Sequence, residues 1–260
     1  VLSRLNTLIH TTNEEMEAYR LYNVVPALLQ FIEELTNTYI RFNRRHFWAD
    51  GMPEHKRYAF ETLHEVLSTL ARVMAPFTPF LAETTWRNLT HAAHGSVHLQ
   101  AFPVAHEEQR KPALEAAVAR MEQLVVMGRN LREQIGVKAK IPLRTMHVVH
   151  RDAAVLQELK SLESYFAEEL NVRTVVYDTN ESERLSFQTK ANFPRLGPRL
   201  GKRMKEVAGA IQKLSTDELL QLESGATLVV AGEPITNEDV EIQRKPRDPK
   251  AVLASHPLVA

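Results

Sequence analysis

Cysteine is absent from all 260 residues of the sequence. That absence excludes disulfide bonds, thiolate metal sites and a cysteine nucleophile, and it is typical of a cytoplasmic protein. No apolar run approaches the roughly 20 residues of a membrane-spanning helix, and the N-terminus has no signal-peptide pattern. We therefore expect a cytoplasmic protein without a membrane partner.

An excess of charge is also missing, since Lys+Arg and Asp+Glu both number 32. A neutral chain does not attract nucleic acid as a whole, so any nucleic-acid surface must come from local clustering of charge. The glycine-rich patterns GxGxxG and GxxxxGK[ST] do not occur, and no Ser/His/Asp order or paired-carboxylate motif stands out. The sequence predicts neither a catalytic site nor a cofactor in this chain.

What is present is an ordinary globular composition, with 44% hydrophobic and 25% charged residues. The first half carries apolar residues at helical spacing, most regularly over residues 59–74. Asn13 is predicted to cap a second helix that runs to Trp48, with Pro26 kinking or dividing it. Short loops between such helices predict an antiparallel helical bundle over residues 1–110.

The pattern changes in the second half. Residues 111–142 predict a connecting helix and a basic loop. Beyond them, helical patterns at 197–214 and 216–222 alternate with strand candidates at 146–150, 172–178, 184–193, 226–232 and 239–245. We expect a small α+β domain with a mixed sheet over residues 143–260. The predicted fold class is therefore multidomain, α followed by α+β.

The densest chemistry lies in FIEELTNTYIRFNRRHFW, residues 31–48. On a helical wheel its apolar residues share one sector, and a different sector carries Asn37, Arg41, Arg44, Arg45 and Trp48. Arginine forks match phosphates and base edges, and aromatic rings stack on unpaired bases, so this face suits a folded RNA. The alternative is a solvated helix end, where cations are favourable. Spacing alone favours that alternative.

Two further basic stretches are candidates for phosphate binding. QTKANFPRLGPRLGKRMK, residues 188–205, contains no acid and carries Lys190, Arg195, Arg199, Lys202, Arg203 and Lys205. Such clusters bind phosphates through counterion release even in a neutral protein. GRNLREQIGVKAK, residues 128–140, places Arg129 and Arg132 opposite an apolar stripe and Lys138 in the following loop. The alternatives are a basic surface helix and a helix C-terminus surrounded by cations.

Histidines cluster between residues 91 and 106, at His91, His94, His98 and His106. Their spacing spans a helix end, a glycine and a loop, and it lacks thiolates or an HExxH arrangement. Surface or capping histidines are the default interpretation, so no metal site is predicted.

Several motifs, taken in order, resemble the C-terminal half of isoleucyl-tRNA synthetase, a class I aminoacyl-tRNA ligase. The helix pattern of residues 31–48 resembles that family's Phe-Ile, Leu-Thr-Asn, aromatic, Arg-x-x-Arg-Arg and Trp. The turn MAPFTPF resembles one shared by the isoleucine, valine and leucine enzymes. The remaining matches are VLSRLN, SVHLQAFP (as a strand-like motif), GRNLREQIGVKAKIPL and KANFPRLGPRLGKRMK, the last two typical of the eukaryote-like branch. The likeness spans essentially the whole chain and weakens after about residue 210.

This resemblance implies an anticodon-binding bundle and a C-terminal appendix that together hold isoleucine tRNA. It places the catalytic domain, with its HIGH and KMSKS sequences and its use of ATP with magnesium, upstream in the same chain. Neither sequence occurs here, so we expect a fragment of a longer ligase without a catalytic site. Some bacterial relatives end in a zinc-binding cysteine cluster, and the lack of cysteine fits the branch without it.

Our hypothesis from the resemblance assigns two sets of residues to tRNA, with no DNA partner. Asn37, Arg41, Asn43, Arg44, Arg45 and Trp48 face the anticodon stem-loop. The grip extends through Arg129, Arg132, Lys138, Lys190, Arg199, Lys202 and Lys205. Rival interpretations are the equivalent region of a valyl- or leucyl-tRNA synthetase, a non-catalytic helical interaction module, and a general RNA chaperone.

Overall fold

A computed structural model describes residues 1–91, 95–223, 225–248 and 251–254. The chain divides into two compact units, Val1–Glu122 and Gln123–Ala260. Helices form the first unit, whereas helices and short strands form the second, so the predicted fold class is confirmed. The predicted boundaries at residues 110 and 142 remain a prediction. Within the described ranges no helix is both long and apolar enough to cross a membrane.

Several helices of the first unit share an apolar core, whose described buried members lie between Leu5 and Val73. Phe31, Val24 and Val66 are almost completely buried there, as helical periodicity predicts. A second cluster places the Trp86 ring among small residues, and its indole N–H donates to the Gly95 carbonyl at 3.1 Å. The helices are α1 (Leu2–Glu17), α2 (Leu21–Glu34), α3 (Arg44–Phe47), α4 (Glu54–Met74), α5 (Pro79–Thr90) and α6 (Pro112–Gln134), the last of which continues into the second unit.

The first helix boundary differs from the prediction. α1 continues through Asn13, so the predicted cap is wrong, and α2 passes through Pro26 without ending. The chain turns instead at Tyr19, which adopts the left-handed conformation with φ of 57°. The Arg20 guanidinium and the Asn23 amide both donate to the Glu15 carboxylate at 2.7 Å. These bonds stabilise the turn, because they hold both of its sides to one acid.

The connection before α6 is held against α1 by buried polar side chains. The Asn6 amide donates to the Gln109 side chain at 3.0 Å and accepts the His106 backbone N–H at 2.7 Å. The Ser3 hydroxyl accepts the Lys111 backbone N–H at 2.7 Å. SVHLQAFP, predicted to be strand-like, contains a 3₁₀ turn at Val97–Leu99. The connection is irregular because its backbone pairs with side chains rather than with a strand.

Acidic pH should weaken the contacts that the Glu83 carboxylate makes with Ser96 and Val97 of this connection. The Arg87 guanidinium, the Val97 backbone N–H and the Ser96 hydroxyl lower the pKa of this carboxyl from 4.5 to about 2. Its contribution to stability is therefore present above pH 4.5 and is lost as the pH falls toward 2. We expect Glu83→Gln to flatten the stability profile between these pH values. Urea unfolding at several pH values measures this, and identical slopes for variant and wild type would contradict it.

Strands of the second unit pair two by two. β1 (Leu143–Val149) and β2 (Val172–Asp178) are parallel and are joined by α7 (Ala153–Ser161) and α8 (Glu163–Glu169). The antiparallel pairs are β3 (Leu185–Ala191) with β6 (Val240–Pro246), and β4 (Leu228–Val230) with β5 (Glu233–Ile235). Both pairing senses occur, as predicted, but the described strands form three two-stranded sheets rather than one mixed sheet.

Two predicted elements are interrupted by residues with positive φ. The strand expected at 226–232 ends where Ala231 and Gly232 have φ of 50° and 78°, which makes β4 and β5 a tight hairpin. The helix expected at 197–214 breaks at Gly201, where φ is 49°. The described helices in this part are α9 (Glu181–Arg184), α10 (Phe193–Leu200), α11 (Met204–Ile211) and α12 (Thr216–Glu223).

The second unit contains a separate core around α11 and a polar link to β1. Ile211 and Ile235 are fully buried in that core, whose described members come from residue 187 onward. Beside it, Arg151 lies 3.2 Å from the buried carboxylate of Glu181 and also pairs with Glu223. The Arg244 guanidinium donates to Glu223 at 2.7 Å. Charged groups therefore connect the end of β1 to α9, α12 and β6.

Packing in α6 requires a glycine at position 128. A Cβ there would lie 2.5 Å from Cδ1 of Leu170, a buried side chain. We expect Gly128→Ala to destabilise the chain by about 1–3 kcal/mol, because the clash outweighs the higher helix propensity of alanine. Gly209→Ala in α11 is the matched control, since a Cβ there meets nothing within 4 Å. Thermal unfolding should show a loss for the first variant and a small gain for the second; a gain for both contradicts the packing argument.

Candidate nucleic-acid interface

The basic end of the α2 region is not one continuous helix. After α2 the chain forms a π-helical segment at Leu35–Ile40, turns at Asn43 and continues as α3. The apolar sector is buried as predicted, with Leu28, Phe31 and Leu35 at most 5% exposed. The helical-wheel prediction is therefore correct for α2. It does not apply across the π segment, because each turn of a π-helix contains an extra residue.

The residues predicted to face RNA are largely exposed. Asn37, Arg41, Arg44 and Arg45 are exposed, and Trp48 has 69% of its surface accessible. The Arg44 guanidinium lies 5.6 Å from the centre of the Trp48 ring, within reach of a cation–π interaction. We call the set Arg41, Asn43, Arg44, Arg45 and Trp48 the arginine–tryptophan end.

Asn43 has a local structural role in this end. It is half-buried, and its amide nitrogen donates to the Tyr39 carbonyl at 2.8 Å. Its own carbonyl accepts the backbone N–H groups of His46 and Phe47 at 2.8 and 3.2 Å. The Asn43 carbonyl thereby accepts the hydrogen bonds that begin α3, the helix that carries Arg44 and Arg45.

One supporting residue was missed by the sequence analysis. The sequence predicts no role for Tyr39 in RNA binding, yet its hydroxyl donates to the Ala59 carbonyl at 3.1 Å and its ring packs edge-to-face with Phe47. Burial raises the pKa of this hydroxyl. Its aromatic ring at an apolar position next to polar residues was the only signal in the sequence.

The residues predicted to bind RNA in the second unit differ in their surroundings. Some are exposed to solvent, and others are already bonded to groups of the protein. Lys138 is exposed, and Arg129 is partly exposed and pairs with Glu169. The prediction that Arg132 lies on an exposed face is wrong, because only 4% of it is accessible. Its guanidinium donates to the carbonyls of Leu170, Lys138, Ala139 and Ile141. Arg132 therefore organises the basic loop from inside.

Arginines in the 188–205 stretch are paired with acids distant in sequence. Arg199 donates to the Pro234 carbonyl at 2.8 Å and lies 3.6 Å from Asp239, and Arg195 lies 3.2 Å from the same acid. Burial raises the pKa of Asp239, but the Thr236 hydrogen bonds and both guanidinium groups outweigh burial and lower it. Lys190, Lys202 and Lys205 are exposed. The arginines of this stretch are also exposed, but each is already paired with an acid.

The histidine cluster does not form a metal site among the residues that the structure describes. His91 ends α5, His98 lies in the 3₁₀ turn and His106 pairs with Glu108, while His94 lies outside the described residues. No group of three described His, Asp or Glu residues could hold an ion.

The helical bundle and its exposed basic end agree with a family match. Residues 1–147 match the family model described as the anticodon-binding domain of tRNA ligase. The chain belongs to that family.

Individual relatives indicate a narrower group of tRNA ligases than the family model does. The isoleucine–tRNA ligase of Bdellovibrio bacteriovorus is 56% identical over 263 residues, covering 100% of this chain and 25% of the relative. The cytoplasmic isoleucine–tRNA ligases of Saccharomyces cerevisiae and Mus musculus are 37% and 36% identical, covering 94% and 93% of this chain and 24% and 20% of their own lengths. The chain spans about a quarter of the length of these relatives, and the resemblance inferred from the motifs is confirmed.

Proposed function

We propose that this chain is the tRNA-binding part of an isoleucine–tRNA ligase and that its arginine–tryptophan end holds the anticodon stem-loop of isoleucine tRNA. The observation that carries the proposal is the exposed Arg44–Trp48 pair on a bundle of the anticodon-binding family. The names of the relatives support isoleucine over valine or leucine.

The proposed interface combines two kinds of contact. Arg41, Arg44 and Arg45 bind phosphates and set the register of the loop, since phosphate contacts position a nucleic acid without reading its sequence. The Trp48 indole stacks on an unpaired base, and Asn37 offers an amide donor and acceptor to a base edge. The exposed indole is available for stacking because its ring is only partly covered by Arg44.

Lysines of the second unit contribute nonspecific affinity in this proposal. Lys138, Lys190, Lys202 and Lys205 carry exposed ammonium groups that can replace counterions on RNA phosphates. Arg129 and Arg199 contribute less, because each already pairs with a carboxylate. Arg132 supports the loop instead of touching RNA.

The rest of the reaction belongs to the longer protein. In our proposal, a catalytic domain upstream in the same chain activates isoleucine with ATP and magnesium, in the cytoplasm. Residues of the present chain hold the tRNA and take no part in the chemistry.

Competition between stem-loop RNAs tests the proposed function. A labelled stem-loop with an isoleucine anticodon is bound to the chain, and unlabelled stem-loops that differ only in the anticodon are added. We expect the isoleucine sequence to compete best. Equal competition by all stem-loops indicates general RNA binding, preference for a valine or leucine anticodon indicates the related enzymes, and no binding indicates a protein-interaction module; each of these outcomes contradicts the proposal.

A further inference from the structure

The helical region that carries the proposed interface changes from α-helix to the π segment just before its basic residues. In this segment the Thr36 hydroxyl lies 3.0 Å from the carbonyls of both Ile32 and Glu33. An α-helix turns about 100° per residue, so one extra residue in a turn rotates every following side chain by that angle. The direction of the arginine–tryptophan end therefore depends on what stabilises the π segment.

Neighbouring helices hold the segment at two consecutive residues. The Thr38 hydroxyl donates to the Glu122 carboxylate on α6, and the Tyr39 hydroxyl donates to the Ala59 carbonyl on α4 at 3.1 Å. Both bonds are partly buried, where competition from water is reduced. Together they fix the rotation of the segment about its own axis.

Tyr39 also contacts the structure that follows. Its carbonyl accepts both the side-chain amide and the backbone N–H of Asn43, at 2.8 and 3.2 Å. Its ring meets Phe47 edge-on at 6.1 Å between centroids. Phe47 packs in turn against Phe60 of α4 at 5.1 Å. Tyr39 thus touches residues on both sides of Arg44 and Arg45.

We propose that Tyr39 is a positioning residue of the RNA interface, which sets the direction of Arg44 and Trp48 through its bonds to Ala59 and Asn43. The inference rests on the proposed function for its RNA readout. Tyr39 touches no RNA itself. Its hydroxyl holds the π segment to α4, and its carbonyl and ring hold the start and end of α3.

The variant Tyr39→Phe isolates the hydroxyl, because the ring and the carbonyl remain. Loss of one such bond should weaken binding of the isoleucine stem-loop about fivefold. The matched control is Tyr58→Phe on α4, whose hydroxyl bonds only weakly with the exposed Glu54 carboxylate at 3.3 Å. We expect that control to bind as the wild type does.

A double-mutant cycle separates positioning from general stability. If Tyr39 acts through Arg44, the fivefold effect of Tyr39→Phe should largely disappear in an Arg44→Ala background. A purely structural role predicts the same loss in both backgrounds. Equal losses, or unchanged binding by Tyr39→Phe in the wild-type background, would overturn the inference while leaving the proposed function intact.

A second readout needs no RNA. Iodide quenches exposed tryptophan, so it reports Trp48 at 69% exposure rather than Trp86 at 7%. Tyr39→Phe should change the iodide quenching constant, and Tyr58→Phe should not. If the wild type fails to distinguish anticodons, the proposed function fails, yet quenching still decides the inference. An unchanged constant in folded Tyr39→Phe, checked by circular dichroism, refutes it.

Discussion

Replacing Arg44 and Arg45 together by alanine should weaken binding of the isoleucine stem-loop by about 10- to 100-fold at moderate salt. Each of the two exposed contacts to phosphate contributes roughly 0.7–1.4 kcal/mol. Trp48 also loses the cation that lies over its ring. Fluorescence anisotropy over a salt series measures the change. The slope of log affinity against log salt should fall by about 2, one for each lost phosphate contact.

The control must remove the same charge elsewhere in the first unit. Arg20→Ala with Arg87→Ala does so, since both residues are partly exposed and pair with acids outside the interface. We expect nearly wild-type affinity. In the intact ligase, Arg44→Ala with Arg45→Ala should raise the KM for tRNA without changing isoleucine activation measured without tRNA. A parallel fall in both reactions contradicts the assignment.

Arg132→Ala should lower the free energy of unfolding by about 3–5 kcal/mol, because four carbonyl groups lose a charged donor inside the protein. The distances of 2.8 Å to Lys138 and 3.1 Å to Leu170 show a guanidinium fork that closes the basic loop. Arg132→Lys should recover only part of the loss, since an ammonium group lacks the planar fork. Urea unfolding measures both variants.

Arg129→Ala provides the matched control for this prediction. Arg129 lies on the same helix, but its side chain is 41% exposed and pairs with one acid, so its loss should cost about 0–1 kcal/mol. Similar destabilisation by both variants would mean that the helix, rather than the buried fork, determines the effect.

Periodicity predicted most of the fold because burial of one face leaves a regular trace in the sequence. The core positions of α2 and α4, such as Phe31 and Val66, follow that rule. Periodicity failed where the backbone conformation was unusual. Tyr19 and Ala231 adopt positive φ without being glycine. The turn at Tyr19 is held by the Arg20–Glu15 pair, and the Ala231 carbonyl accepts a hydrogen bond from Arg203, which is distant in sequence.

The candidate site was predictable in composition but not in geometry. Charge and aromatic content located Arg44 and Trp48, whereas the rotation introduced by the π segment has no sequence signature in a single chain. The acids that pair with the arginines could not be identified from the sequence either. Asp239 pairs with Arg195 and Arg199 from about forty residues away, and such pairs depend on tertiary folding rather than on spacing.

The polar link in the second unit has a consequence for local unfolding. The parallel pair β1–β2 meets α9, α12 and β6 through Arg151, Glu181, Glu223 and Arg244. Charge pairs stabilise less than shared apolar packing and weaken in salt. The β1–β2 pair and the core around α11 should therefore open as separate cooperative groups. Native-state hydrogen exchange should then show amides of Val148 and Ile211 protected to different free energies. High salt should widen that difference.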